Sequence, residues 1–135
     1  MIQKGTKLLI LDNCGGRVGR CIHVYGGHRK RYAKIGDIIT VAVQRLRKTR
    51  GARKTSAKLK LKIGTGSVAK ALVIETRSGI KNFTGDSISF LRNSCVLLTE
   101  NNKIAGTRVY TSVLNIFRQS RYTRLLFMSD SVITF

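Results

Sequence analysis

Proline and tryptophan are both absent from this 135-residue chain. Other shortages exclude more. No run of eighteen apolar residues exists, so a membrane-spanning helix is excluded. There are three cysteines, Cys14, Cys21 and Cys95, an odd and sparse set that makes no disulfide framework and suits a reducing compartment. Acidic residues are the scarcest resource: Asp12, Asp37, Glu75, Asp86, Glu100 and Asp130 are all there are, against 26 Lys and Arg. No two of them lie close together in sequence as a general acid–base pair would. Gly64-Thr65-Gly66-Ser67 lacks the glycine spacing and the lysine of a phosphate loop. Cys14, Cys21, His23 and His28 fit no structural zinc spacing. The reading is therefore not an enzyme, with no metal and no cofactor. The opening Met1-Ile2-Gln3-Lys4-Gly5 has neither the apolar block of a signal peptide nor an Arg/Ser-rich transit character. The expectation is a protein that acts where it is made, or a chain whose presequence is missing.

What is present is cationic. The formal net charge is +20 at pH 7. Self-repulsion of that size destabilises a compact state unless something offsets it, and the common cellular polyanion is nucleic acid. A membrane surface is the competing partner, but it favours a basic amphipathic helix or a terminal polybasic tract, whereas the charge peak here is internal. Between Asn13 and Ile74 the only acid is Asp37, while sixteen Lys and Arg fall in the same interval. Such patterning along the chain points to a binding surface.

The apolar pattern reads mainly β, with enough apolar residues (42%) for one packed domain. Short runs at Thr6 to Leu11, Cys21 to Tyr25, Ile38 to Val43, Val68 to Thr76, Ile88 to Phe90 and Cys95 to Thr99 read as strands. In the second run Ile22 and Val24 are expected on one face, His23 and Tyr25 on the other. Glycine- and asparagine-containing turns separate the runs, at Asn13-Cys14-Gly15-Gly16, Gly26-Gly27, Gly36-Asp37, Gly85-Asp86 and Asn101-Asn102. Short strands spaced by turns suggest a small closed barrel. After Gly106 the pattern changes: Thr111 or Ser112 can cap a helix carrying Val113, Leu114, Ile116 and Phe117, and Leu125 to Met128 reads as a short helix or an extended tail.

Two basic clusters are the candidate binding residues. His28-Arg29-Lys30-Arg31-Tyr32-Ala33-Lys34, bracketed by glycines, reads as an exposed turn. Its arginines can pair with phosphates and Tyr32 can stack on a base or ribose, with Arg17 and Arg20 in the adjoining turn and strand. The bland alternative is a solvated hairpin tip with Tyr32 packed on the barrel. The second cluster, Gln44 to Lys62, holds nine cations and no acid: Arg45, Arg47, Lys48, Arg50, Arg53, Lys54, Lys58, Lys60 and Lys62. Its first part, Arg45 to Lys54, looks like a loop tip. Its second alternates, with Lys58, Lys60 and Lys62 on one side and Leu59, Leu61 and Ile63 on the other, as a strand of a basic arm entering an RNA groove would. The bland alternative is a solvated loop.

The ordered series Met1-Ile2-Gln3, Asp12-Asn13, Gly16-Arg17, Cys21-Ile22, Val24, Gly26-Gly27, Arg31-Tyr32-Ala33, Gly36-Asp37-Ile38-Ile39 and Lys70-Ala71 resembles the large-subunit ribosomal protein L-fourteen family. Asp86-Ser87, Phe90, Asn93, Val96-Leu97-Leu98 and Gly106-Thr107-Arg108 continue it. The resemblance implies a single domain over 1–135: a five-stranded β-barrel with a projecting basic β-ribbon at about 44–63 and a short helical part at about 111–135. It implies a structural constituent of the large ribosomal subunit that binds rRNA at the subunit interface. The partners it implies are ribosomal protein L nineteen, small-subunit rRNA in a bridge, and a ribosome-silencing factor. By carry-over, Arg17, Arg31, Tyr32, Lys70 and Arg108 are contact residues, with Arg118 added on the helical part, whereas Asp12, Asn13 and Gly36 form turns. The chain departs from the family pattern in its longer basic segment, at Gly64-Thr65, at Leu91 and Ser94, at Thr111-Ser112 and at Ile116. Those departures suggest an organellar ribosome, mitochondrial rather than plastid or bacterial. A free RNA-chaperone barrel is the alternative function.

Overall fold

A computed structural model describes residues 1–47, 63–82 and 84–134. Strands β1 (Lys7–Ile10), β2 (Gly16–Val24), β3 (Ile38–Leu46), β4 (Val68–Glu75) and β7 (Ser94–Leu98) close into a five-stranded barrel in the order β1-β2-β3-β4-β7. All neighbours are antiparallel except β1 and β7, whose parallel pairing of Leu9 with Ser94 and Ile10 with Cys95 closes the ring. Between β4 and β7 a small ribbon pairs β5 (Ile80–Lys81) with β6 (Ser87–Ile88). The chain ends in β8 (Val109–Leu114), a 3₁₀ turn (Asn115–Gln119), helix α1 (Arg124–Met128) and β9 (Ser129–Ile133).

The barrel interior is filled by alternate residues of its strands, among them Leu8, Ile10, Cys21, Ile39, Val41, Val43, Ala71, Val73, Cys95 and Leu97. The other faces of β4 and β7 are buried as well. Leu72, Ile74, Val96 and Leu98 pack outward against Val109, Val113, Leu114, Phe117 and Leu125 in a second core. Two-sided burial is why these strands read as unbroken apolar runs. Gly19 on β2 permits the tight interior: a Cβ there would stand 2.2 Å from Val41 Cγ1.

Three local expectations fail. Cys21 and Val24 are buried and Ile22 is exposed, because a register shift lies between Cys21 and His23. The extra residue swaps the face on which the side chains emerge. Arg45 and Leu46 are not at a loop tip but prolong β3, where Leu46 pairs with Gly16 and Arg45 with Val18. Thr111 and Ser112 cap no helix. They lie in β8, which pairs in parallel with β9, and the 3₁₀ turn starts only at Asn115 with no side-chain cap. Alternation decides this segment, since Val109, Thr111 and Val113 are buried while Tyr110 is exposed. The Thr111 hydroxyl instead donates to Glu75 Oε1. The run at 125–128 is helical and the chain beyond it extended.

Candidate nucleic-acid interface

With the outer faces of β4 and β7 covered, the free flank of the barrel is the outer face of β1, β2 and β3. Lys7 and Arg20 are exposed there and directly opposite each other in the antiparallel register. Like charges so placed repel. Among the described residues there are two ion pairs, Lys30–Asp37 and Arg92–Glu75, so neither Lys7 nor Arg20 meets a carboxylate. Lys7 was missed by sequence reasoning, although its alternation with buried Leu8 was the available signal.

The loop between β2 and β3 carries the second group. Arg29, Lys30, Arg31, Tyr32 and Lys34 are all exposed. Gly26 (φ +115°) and Gly27 (φ +63°) turn the chain, and Arg29 follows in the left-handed region at φ +66°. The loop is fastened at two points. Ile2 and Ala33 exchange backbone hydrogen bonds of 3.1 and 2.8 Å. Asp37 accepts from the Lys34 amide (2.7 Å) and pairs with Lys30 Nζ (2.9 Å). The amino-terminal segment joins this loop to the barrel flank. A Cβ at Gly5 would stand 3.7 Å from the Arg20 guanidinium, while Gln3 and Lys4 line a groove of about 510 Å³ with Val24 and residues 29–32. Lys4 and Gln3 were likewise missed, and nothing local in their sequence marks them. Lys4, Arg29 and Arg31 thus share the groove at one end of the barrel, and the Gly5 amide, which donates to the Cys21 carbonyl, ties that end to the flank carrying Lys7 and Arg20.

The remaining candidates are dispersed. Arg17 is exposed beside a second groove on β1. Arg47 turns inward: its guanidinium donates to the Ile10 carbonyl (3.2 Å) and lies 4.9 Å from the centre of the Tyr110 ring. Arg45 is exposed on β3. Lys70 is half-buried on β4 and donates to Asn102 Oδ1 at 3.1 Å. Arg108 is exposed before β8 and Arg118 on the 3₁₀ turn, both apart from the loop cluster. Lys48, Arg50, Arg53, Lys54, Lys58, Lys60 and Lys62, and with them most of the basic arm, lie outside the described residues.

Two buried carboxylates organise the scaffold behind this surface. Asp12 accepts from the amides of Cys14 (3.0 Å) and Leu97 (2.8 Å), and Asn13 Oδ1 accepts from the amide of Thr107 at 2.9 Å. They are turn-formers, as expected of them. Burial pushes the Asp12 carboxyl above the ordinary aspartate value, against the pull of those amides. Glu75 Oε2 accepts from Ser94 Oγ (2.6 Å) and Arg92 Nε (3.0 Å), tying β4 to β7, while Oε1 takes β8 through Thr111. Burial also pushes up all three thiols, Cys14, Cys21 and Cys95, the nearby Asp12 charge adding to it at Cys14 and Cys95. Thiols held protonated are poor nucleophiles and poor metal ligands. Among the described residues no three His, Cys, Asp or Glu side chains gather as a metal site.

A closed β-barrel that buries one flank under a second core and shows cations on the other defines a small scaffolding protein built around a surface. The chain belongs to the family described as ribosomal protein L14p/L23e, whose pattern it matches over residues 1–133. It is 37% identical over 133 residues to the large ribosomal subunit protein uL14 of Carsonella ruddii (strain PV), an alignment that covers 98% of this chain and 100% of that relative. The family resemblance read from the motifs is borne out, and with it a structural, non-enzymatic role in the ribosome.

Proposed function

We propose that this chain holds large-subunit rRNA against the end of the barrel formed by Lys4, Lys7, Arg20, Arg29 and Arg31, as an integral component supporting translation. The observation that carries the reading is the Lys7–Arg20 pair, two cations in direct register with no acid among the described residues paired to either. Phosphate oxygens relieve that repulsion and supply bidentate partners for the arginines. β3 ends at Leu46 opposite Gly16, at the barrel end away from the β2–β3 loop, so Arg45 and the cations from Lys48 onward, with Lys58, Lys60 and Lys62, are a second RNA contact in this proposal, and Arg17, Lys70, Arg108 and Arg118 contact RNA at the margins. The neighbours proposed at the subunit interface are ribosomal protein L nineteen, a small-subunit rRNA bridge and a ribosome-silencing factor. The compartment proposed is the mitochondrial matrix, on the strength of the departures from the family pattern. The likeness to a bacterial relative favours bacterial cytoplasm as the second reading.

Sedimentation of ribosomes from the source organism, after a high-salt wash, tests the central claim. The chain should remain with the large subunit. Release to the top of the gradient, with RNA binding retained in the free protein, would replace the structural role by that of a dissociable RNA chaperone.

A further inference from the structure

The groove at the β2–β3 loop has features that phosphate binding alone does not require. Its floor is Val24, 6% exposed and apolar, and one wall is Tyr32, an aromatic left 42% exposed. Lys4, Arg29 and Arg31 stand around it with no ion pair to any described acid. Gln3 lines it too and brings both a donor and an acceptor. Lys30 is of a different kind. Its charge is engaged by Asp37, and its stem lies over Gly26, where a Cβ would meet Lys30 Cδ at 3.0 Å. It positions the loop and leaves its neighbours to the ligand.

The groove is also preformed. The Ile2–Ala33 hydrogen bonds hold its two sides together, and Asp37 clamps the loop through Lys30 and the Lys34 amide. Arg29 is held at φ +66°, a conformation that costs a residue with a Cβ free energy and recurs at binding sites. A volume of about 510 Å³ falls within the roughly 300–1,000 Å³ of small-ligand pockets.

We infer that this groove receives one unpaired nucleotide of RNA, its base against Tyr32 over the Val24 floor and its phosphate among Lys4, Arg29 and Arg31. The inference rests on the RNA-binding reading above and names what that site selects. A duplex offers its backbone and 2′-hydroxyls to such a surface but keeps its bases stacked, so it leaves Tyr32 and the apolar floor unused. An extruded base occupies both.

The test uses the full chain and short RNAs: a single-stranded uridine-rich oligomer with a central 2-aminopurine, the same oligomer with an abasic residue at that position, and a blunt duplex of equal length. With the wild-type protein, 2-aminopurine fluorescence should be quenched on binding, and the abasic RNA should bind about tenfold more weakly. Tyr32→Phe should keep the quenching. Tyr32→Leu should lose it and bind single strand about tenfold more weakly, with duplex affinity unchanged. Arg31→Ala should weaken both RNAs and reduce the salt slope. Equal affinity for the intact and abasic oligomers, measured on the wild-type protein alone, would overturn the inference while leaving RNA binding standing. Failure of every RNA to bind would instead overturn the reading on which it rests.

Discussion

The Glu75–Arg92 pair offers the sharpest check on how the second core is fastened to the barrel. The Glu75 side chain is 4% exposed and that of Arg92 46% exposed, so the two ends of the pair are not equivalent. Arg92→Ala leaves a carboxylate buried with only the Ser94 and Thr111 hydroxyls for company. Stranding a buried charge costs about 3–5 kcal/mol, which half-exposure of the lost partner and the surviving hydroxyls reduce to about 2 kcal/mol. Glu75→Gln releases Arg92 to water and exchanges charge-assisted hydrogen bonds for neutral ones, a loss of about 1 kcal/mol. In the double variant no charge remains to be stranded, so it should be no less stable than Arg92→Ala alone, a coupling of about 1 kcal/mol. At about 2.1 cal/mol/K per residue the unfolding entropy of 135 residues makes each kcal/mol worth about 3–4 °C. Melting followed by circular dichroism should therefore show Arg92→Ala lower by about 7 °C, Glu75→Gln by about 3–4 °C, and the double variant by no more than about 7 °C. Strictly additive losses, with the double variant lower by about 11 °C, would refute the claim that Arg92 acts by neutralising Glu75.

Gly19→Ala should cost about 1–3 kcal/mol by driving a methyl into Val41, and Gly19→Ala/Val41→Ala should recover part of it; an unchanged melting point for the single variant would disprove the tight interior. Because burial raises the Asp12 pKa, the folded chain holds that proton more tightly than the unfolded one. The contribution of Asp12 is full below the ordinary aspartate range and declines as pH rises through the raised value, so the melting-point gap between wild type and Asp12→Asn should narrow with rising pH in the acid range. A widening gap would reverse the assigned direction. Arg47→Ala should lower stability by about 1–2 kcal/mol, from the Ile10 hydrogen bond and the Tyr110 contact, with the salt slope of RNA binding unmoved. Lys7→Ala/Arg20→Ala should do the opposite, leaving stability intact or improved and flattening the salt slope by about 2. A flattened slope for Arg47→Ala would mean that this side chain leaves the barrel to meet RNA.

Much of the barrel was legible in the sequence. The runs around Leu8, Ile39, Leu72 and Val96 all became barrel strands, because β-branched and apolar runs bounded by glycine turns leave few other solutions. The turns at Gly15, Gly26, Gly36 and Gly85 hold positive φ, as their residues allow. The β2–β3 loop was legible as an exposed cationic tip for the same reason. Ile22 was misread because a bulge depends on how β3 pairs with β2, which the alternation within β2 does not contain. Thr111 was misread because a threonine ahead of an apolar stretch suits a helix cap and a half-buried strand equally well. The partner strand β9, whose residues pair with β8 positions 19 or 20 places earlier in the chain, settled it.

Composition and local pattern by themselves determined that this chain is mainly β and strongly cationic, since charge count, alternation and turn residues are properties of neighbours in sequence. Only the tertiary structure decided which cations remain free. Pairing β4 with β7 and laying β8 over them turned Arg92 to a buried glutamate, closing the ring brought Arg47 to the Ile10 carbonyl, and pairing β1 with β2 left Lys7 and Arg20 side by side with no described acid beside them. The availability of a charge depends on what lies within a few ångströms in space, and that distance is set by contacts between residues far apart in the chain.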